Sequence, residues 1–264
     1  MKSLSRSARK AAEDSGAFLP PVFRPLEDAK IRARTGTATF IAGPPGAFKT
    51  GFMLYWALRL NKPTLYFSAD AEDFEIVERA AAAMSGDTMD QVRSTGLDSY
   101  EGYLSAVNNI KFVYEDSPTY DDVELEIAAF AEVFGMPEII VIDNLMNVVG
   151  EQEGEWASMR DTARVIHRLT RITKAAVFVL HHMSDDRTDP STPAPRKSMQ
   201  GKVGQLPKAI LSLALSGNEL RVAPVKLRWG PGDASGQTWA TLYVDPSRNR
   251  VFNSSYDLQM GVPA

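Results

Sequence analysis

Thr37-Ala38-Thr39-Phe40-Ile41-Ala42-Gly43-Pro44-Pro45-Gly46-Ala47-Phe48-Lys49-Thr50 reads as a short β-type run, a glycine- and proline-rich loop and a helix entrance. The helix pattern opens at Lys49 and continues through Phe52, Leu54, Tyr55 and Leu58. Strand, loop and helix in that order, with Lys-Thr at the entrance, is an arrangement that suits a triphosphate. Glycines let backbone N–H groups curl around the phosphates. The helix N-terminus adds a favourable dipole, and the lysine and threonine reach the β/γ-phosphates and Mg²⁺. Gly43, Pro44, Pro45, Gly46, Ala47, Phe48, Lys49 and Thr50 are therefore the candidate ATP-binding loop, with Thr50 also facing Mg²⁺. One position departs from the pattern G-x-x-x-x-G-K-[ST]: Phe48 stands where the second glycine belongs. A β-carbon and ring there can restrict the loop or crowd the phosphate. The competing reading is an ordinary Gly/Pro turn before a helix.

Outward from this loop, strand-like and helix-like segments alternate. Thr64–Ser68, Ile110–Tyr114, Ile139–Ile142 and Ala176–Leu180 are strand candidates. Between them, Phe74, Val77, Ala81 and Met84, then Val123, Ile127, Phe130 and Phe134, then Trp156, Met159, Ala163, Ile166 and Leu169 recur at helical spacing. Alternation of this kind predicts an α/β fold, a mostly parallel central sheet with helices on both faces. After about residue 207 the texture changes to Ala209–Leu215, Leu220–Leu227 and Thr238–Val244, separated by turn residues. These predict a C-terminal antiparallel strand extension. Residues 1–35 are polar, carry Pro20, Pro21 and Pro25, and are expected to be an arm or linker, partly disordered; residues 36–264 are the expected domain.

The bulk numbers narrow the chemistry. The 264-residue chain carries a formal net charge of −4, so nucleic acid would have to be met by local patches or loops. The absence of cysteine removes disulfides, thiolate metal sites and cysteine nucleophiles, and fits a reducing cytoplasm. No apolar run reaches the roughly 18 residues of a membrane span.

Four further features bear on the loop. Asp143 closes the apolar run Ile139–Ile142, where a carboxylate faces the ligand crevice of an α/β sheet and can hold the Mg²⁺ shell, or simply ends a strand. Asp70 follows the strand Thr64–Ser68 and can orient an attacking water; its alternative use is as a helix N-cap, with Glu72 as fallback carboxylate. His181 and His182 end the strand Ala176–Leu180, and as strand neighbours they point to opposite faces, so they do not chelate one metal. His182 is read as a γ-phosphate sensor or a satisfied core histidine. Lys226 and Arg228, two apart on a predicted strand and so on one face before a Gly-Pro turn, can serve a neighbouring subunit's ATP or form a solvated hairpin face. The loop 183–202, ending with Arg196, Lys197 and Lys202, is a candidate DNA-touching loop or a plain surface loop, and the acidic Glu151, Glu153 and Glu155 would repel phosphate.

Taken together, Gly-Pro-Pro-Gly-x-x-Lys-Thr, Phe67-Ser68-Ala69-Asp70, Asp116-Ser117-Pro118 before a helix, Ile-Ile-Val-Ile-Asp-Asn, Leu-His-His and Lys-Leu-Arg-Trp-Gly-Pro occur in the order seen in DnaB-type replicative helicases. The chain resembles their RecA-like motor over about residues 30–252, and the double histidine resembles that of RepA-type hexameric helicases. The compact form is similar to helicase-like ATPases encoded by phages. The resemblance implies ATP and Mg²⁺ as cofactors, Lys49 on the phosphates, Thr50 and Asp143 at the metal, and Asp70 as catalytic carboxylate where the family has glutamate. It further implies His182 as sensor, and Lys226 and Arg228 acting in trans across a ring interface. The implied partners are further copies of the chain in a homo-oligomer, a hexamer in the family, together with single-stranded DNA and a replication loader or primase. The family's N-terminal, primase-contacting domain has no counterpart in the likeness. The implied activity is ATP-driven translocation or unwinding in replication. The alternative is a nucleotide-gated recombination mediator or loader that hydrolyses ATP weakly.

Overall fold

A computed structural model describes residues 16–148, 155–184, 189–205 and 207–264. The apolar runs become strands β1 (Thr37–Gly43), β2 (Thr64–Ser68), β3 (Ile110–Val113), β4 (Ile139–Asp143) and β5 (Ala176–His182). They are followed by β6 (Ala209–Ser216), β7 (Glu219–Leu227), β8 (Ala240–Asp245) and β9 (Arg250–Phe252). Among the described residues these form one sheet in the order β3-β2-β4-β5-β1-β6-β7-β8-β9. β3 through β6 in that order are parallel, and β6, β7, β8 and β9 are joined antiparallel. The predicted α/β architecture, with its antiparallel extension, is the one observed.

Strand alternation splits the core into two layers. Ile41 faces a layer built with the helix α2 (Lys49–Leu60), while Phe40 and Ala42 face one built with α6 (Tyr120–Phe134) and α7 (Glu155–Thr173). Gly51 through Leu58 of α2 are all buried, so this helix is apolar on every side and lies inside the molecule. Thr119 and Asp122 close a capping box at the start of α6. On the face predicted for α6, Val123, Ile127 and Phe130 are buried, whereas Phe134 is exposed under the Lys111 ammonium. In α7 Ile166 and Leu169 are buried; the side chains of Trp156, Met159 and Ala163 lie outside the described residues.

Two expectations need correction. The face read as Phe74, Val77, Ala81 and Met84 is not the core face of α3 (Asp73–Ser85). Ile76, Ala80 and Ala83 pack toward the sheet, Ala81 and Ala82 pack on Val92 and Tyr100, and Phe74 is exposed. Four consecutive alanines leave two sides thin enough to be covered, by the sheet and by the short helices α4 (Met89–Thr95) and α5 (Glu101–Ser105), so no single apolar stripe marks the core. The second concerns the arm. Residues 1–15 lie outside the described residues, but the following stretch docks on the domain. Leu19 N donates to Ala33 O at 3.0 Å, and Leu19, Phe23, Leu26, Ile31 and Ala33 are buried. Phe23 stacks on Phe52 at 5.3 Å and on Tyr55 at 6.2 Å. Pro25 marks the first turn of α1 (Arg24–Asp28), where the missing N–H costs nothing. The apolar residues of this strap follow neither helical nor strand period, which is why the sequence reads as linker.

Candidate functional site

Sheet register brings the sequence candidates to one edge. Gly43 of β1 lies beside His182 of β5, and Ser68 of β2 lies beside Asp143 of β4. The carboxyl ends of four parallel strands therefore meet, at the crevice where α/β sheets take ligands. A cavity of about 510 Å³ opens there, lined by Pro45–Gly51, Asp70, Asp143 and His182, and on its other side by Arg79, Met89, Pro246 and Asn249.

The loop between β1 and α2 is shaped for an anion. Pro44 and Pro45 have no N–H, and Ala47 N is spent on Pro44 O at 3.2 Å. The remaining donors cluster at Gly46 and at the first turn of α2, whose N–H groups have no partner within the helix. Gly46 sits at φ +77 with open space where a side chain would be. Lys49 Nζ donates to Gly43 O at 3.1 Å and Pro44 O at 3.0 Å, folded back over the loop. Burial lowers the Lys49 pKa, and Asp143 and Asp70 partly oppose this.

Asp143 is 3% exposed. Burial pushes its carboxyl up to about 6, against the pull of hydrogen bonds from Thr50 and Tyr66 and of the nearby Lys49. The Tyr66 hydroxyl donates at 3.1 Å. A carboxylate this buried, hydrogen-bonded to a threonine hydroxyl beside an open cavity, is a donor set that suits a hard divalent cation. Thr50 and Asp143 would hold Mg²⁺, and its charge would return the carboxylate to its ionised form.

Asp70 is exposed at the cavity mouth and accepts a hydrogen bond from Asn144 Nδ2. It is not spent as a helix cap, since α3 starts at Asp73 behind Glu72, itself an exposed residue without a side-chain cap bond. The two histidines part company. His181 is fully buried, in contact with Gln200 O at 3.0 Å and edge-on to Phe40 at 6.3 Å between centroids, and burial lowers its pKa to about 4. His182 is half-buried in the cavity, its pKa lowered first by burial and then by Lys49.

Lys226 and Arg228 are outside this cavity. The strand β7 ends at Leu227, so Arg228 lies in the turn and its exposed side chain is not fixed by strand alternation. Lys226 Nζ donates to Gln205 O at 2.6 Å and Gly204 O at 3.2 Å. Burial, then Arg228 and Arg196, bring its pKa down to about 8. Glu151, Glu153, residues 185–188 of the loop 183–202, and the side chains of Glu155 and Lys202 lie outside the described residues. Sequence reasoning did not single out Tyr66, Arg79, Met89, Asn144, Pro246 or Asn249. Asn144 and Tyr66 flank strand ends already in view, but nothing in the sequence ties the turn at Pro246–Asn249 to a loop two hundred residues earlier.

Phe48 is accommodated by its backbone and by a glycine one turn on. Its backbone takes the left-handed conformation, φ 62 and ψ 28, which a glycine would adopt freely and which costs another residue about 1–2 kcal/mol. The ring turns along the helix onto Gly51, where an added β-carbon would sit 2.5 Å from Phe48 Cε2. It packs against the core and not across the loop.

The sequence profile of the AAA domain family matches residues 10–188. The Gene 65 protein of Mycobacterium phage L5 is 32% identical over 242 residues, 86% of this chain and 90% of that protein. Its namesake from Mycobacterium phage D29 is 30% identical over 217 residues, 76% of this chain and 93% of that protein. Among solved structures, a DnaB-like replicative helicase described with its interactions with primase superposes with TM-score 0.81 at 15% identity, over 97% of this chain and 68% of that one. A second solved structure, that of an ATPase domain, superposes with TM-score 0.80 at 16% identity, over 95% of this chain and 96% of that one. At these identities the shared property is the fold, which is that of the helicase motor named from the sequence motifs.

Proposed function

The chain belongs to the AAA domain family, and from that premise we propose that it is a Mg²⁺-dependent ATPase whose hydrolysis drives movement on single-stranded DNA in replication. The carrying observation is the convergence of Lys49, Thr50, Asp70, Asp143 and His182 on the cavity above Gly43–Phe48. Lys49 exchanges its two carbonyl partners for β/γ-phosphate oxygens, a stronger charge-assisted contact. Asp70, exposed and adjacent, accepts the proton of the attacking water. His182, next in the chain to the His181 ring that is held at Gln200, senses the terminal phosphate. Mg²⁺, when bound, neutralises charge developing on the phosphate oxygens.

Lys226 and Arg228 do not reach the chain's own cavity, so their part is played toward a neighbour's nucleotide in a homo-oligomer, by analogy with the family a hexamer. The helicase described with primase makes a primase or a loader a reasonable partner class for this chain. The ATPase unit covers residues 36–264 with the docked strap ahead of it. No described helix is long and apolar enough to cross a membrane, and the proposed setting is the cytoplasm.

One observation favours the second reading, a nucleotide-gated DNA mediator with weak turnover: Asp70 is already engaged by Asn144. ATPase assays with and without single-stranded DNA separate the two. The motor requires turnover that rises with DNA; tight ATP binding with no turnover in either condition selects the mediator.

A further inference from the structure

Resting on the nucleotide reading, we propose that Phe48 is a substrate-contacting residue that forms, with Gly51 and Asn249, the wall of the cavity that receives the nucleoside half of ATP. The cavity has two chemically distinct sides. Lys49, Thr50, Asp70, Asp143 and His182 bring every carboxylate and every titrating group of the lining except Arg79 to the ends of β1, β2, β4 and β5. The other side is made by the Phe48 ring, Gly51, Arg79 of α3, Met89 at the start of α4, and Pro246 and Asn249 in the turn between β8 and β9. A triphosphate and its cation are satisfied by the first side. The second offers a ring, a thioether and a prolyl face, surfaces that suit a planar base and a ribose.

The local geometry shows why the ring is there and not over the phosphates. Asn249 is 2% exposed, left-handed at φ 47, and its Nδ2 donates to Gly51 O at 3.4 Å. A β-carbon on Gly51 would lie 2.6 Å from Asn249 Oδ1 and 2.5 Å from the Phe48 ring. Gly51 is thus the notch into which both side chains fit, and any larger residue there would push the ring back toward the loop. The left-handed backbone at Phe48 aims its side chain into this notch, leaving the N–H groups of the loop clear. The position that departs from the phosphate-loop pattern serves the other half of the ligand.

The test compares Mg²⁺-ATP with Mg²⁺-tripolyphosphate, which carries the phosphates without the nucleoside, by calorimetry on the full chain. Phe48→Gly keeps the left-handed backbone at ease and removes the ring; Phe48→Leu keeps a β-carbon and an apolar side chain and removes the flat ring. Both variants should bind ATP about tenfold more weakly, the effect of losing one aromatic contact to a base. Tripolyphosphate affinity should change less than about threefold. Equal losses for the two ligands, or unchanged ATP affinity in Phe48→Gly and Phe48→Leu, would overturn the assignment while leaving the nucleotide reading intact. A wild-type chain that binds neither ligand would remove both.

Discussion

Replacing Asp143 by asparagine should make the unliganded protein more stable at neutral pH while abolishing its response to Mg²⁺ and ATP. The carboxyl is raised from its ordinary 3.8 to about 6, chiefly by burial. Holding it ionised inside the fold therefore costs at most about 3 kcal/mol at neutral pH. The sign follows from proton linkage. The folded state binds this proton more tightly than the unfolded chain, so the group favours folding fully below about 3.8, and that contribution is lost as pH climbs through about 6. Asparagine never ionises, and its amide oxygen can still accept from Tyr66. The variant should exceed wild type by about 1–3 kcal/mol at pH 7.5, roughly 2–10 °C in thermal midpoint for a domain of this size, and by only about a third of that at pH 4.5. Urea unfolding of both proteins at the two pH values measures the difference directly, other titrating groups cancelling between them. With Mg²⁺-ATP the order should reverse, because only wild type gains binding free energy. A variant less stable than wild type at pH 7.5, or a difference that does not vary with pH, would refute the reasoning from burial.

Three further outcomes are expected. Arg228→Ala should lose hydrolysis by roughly 10³-fold while keeping ATP affinity, the magnitude of a finger supplied by a neighbour, and mixing it with Lys49→Ala chains should restore part of the rate. Turnover should fall as pH rises past about 8, where Lys226 gives up its proton; Lys226→Arg, always charged, should extend the plateau to higher pH in a pH–rate profile. Phe23→Ala should cost about 3–5 kcal/mol in denaturant unfolding, since the ring is buried between Phe52, Tyr55 and Trp56.

The parts of the molecule that were legible in the sequence are those in which a local pattern and a global role coincide. Ile139–Asp143 is buried on both faces, so its apolar run is unbroken, and the same burial gives Asp143 its character. The loop Gly43–Thr50 is local too: its free N–H groups, its lysine and its threonine are contiguous, so the whole proposed cradle lies in one stretch of sequence. What was not legible depends on distant partners. The strap around Phe23 draws its order from aromatic rings on α2 that its own sequence does not announce. The alanine-rich α3 has no stripe to read because small side chains permit packing on two sides. The Phe48 ring could be placed only once Gly51 and Asn249 were seen to leave it a notch, the second of them contributed by a turn at the far end of the chain.

Calorimetric titration of the purified chain with ATP and Mg²⁺, set beside Lys49→Ala, bears most directly on whether Gly43–Thr50 is a nucleotide cradle. Wild type should take up ATP in a Mg²⁺-dependent manner, and removing the one ammonium over the loop should weaken uptake by at least about tenfold. Failure of the wild-type chain to take up ATP, or equal uptake after the lysine is gone, would contradict the account at its root.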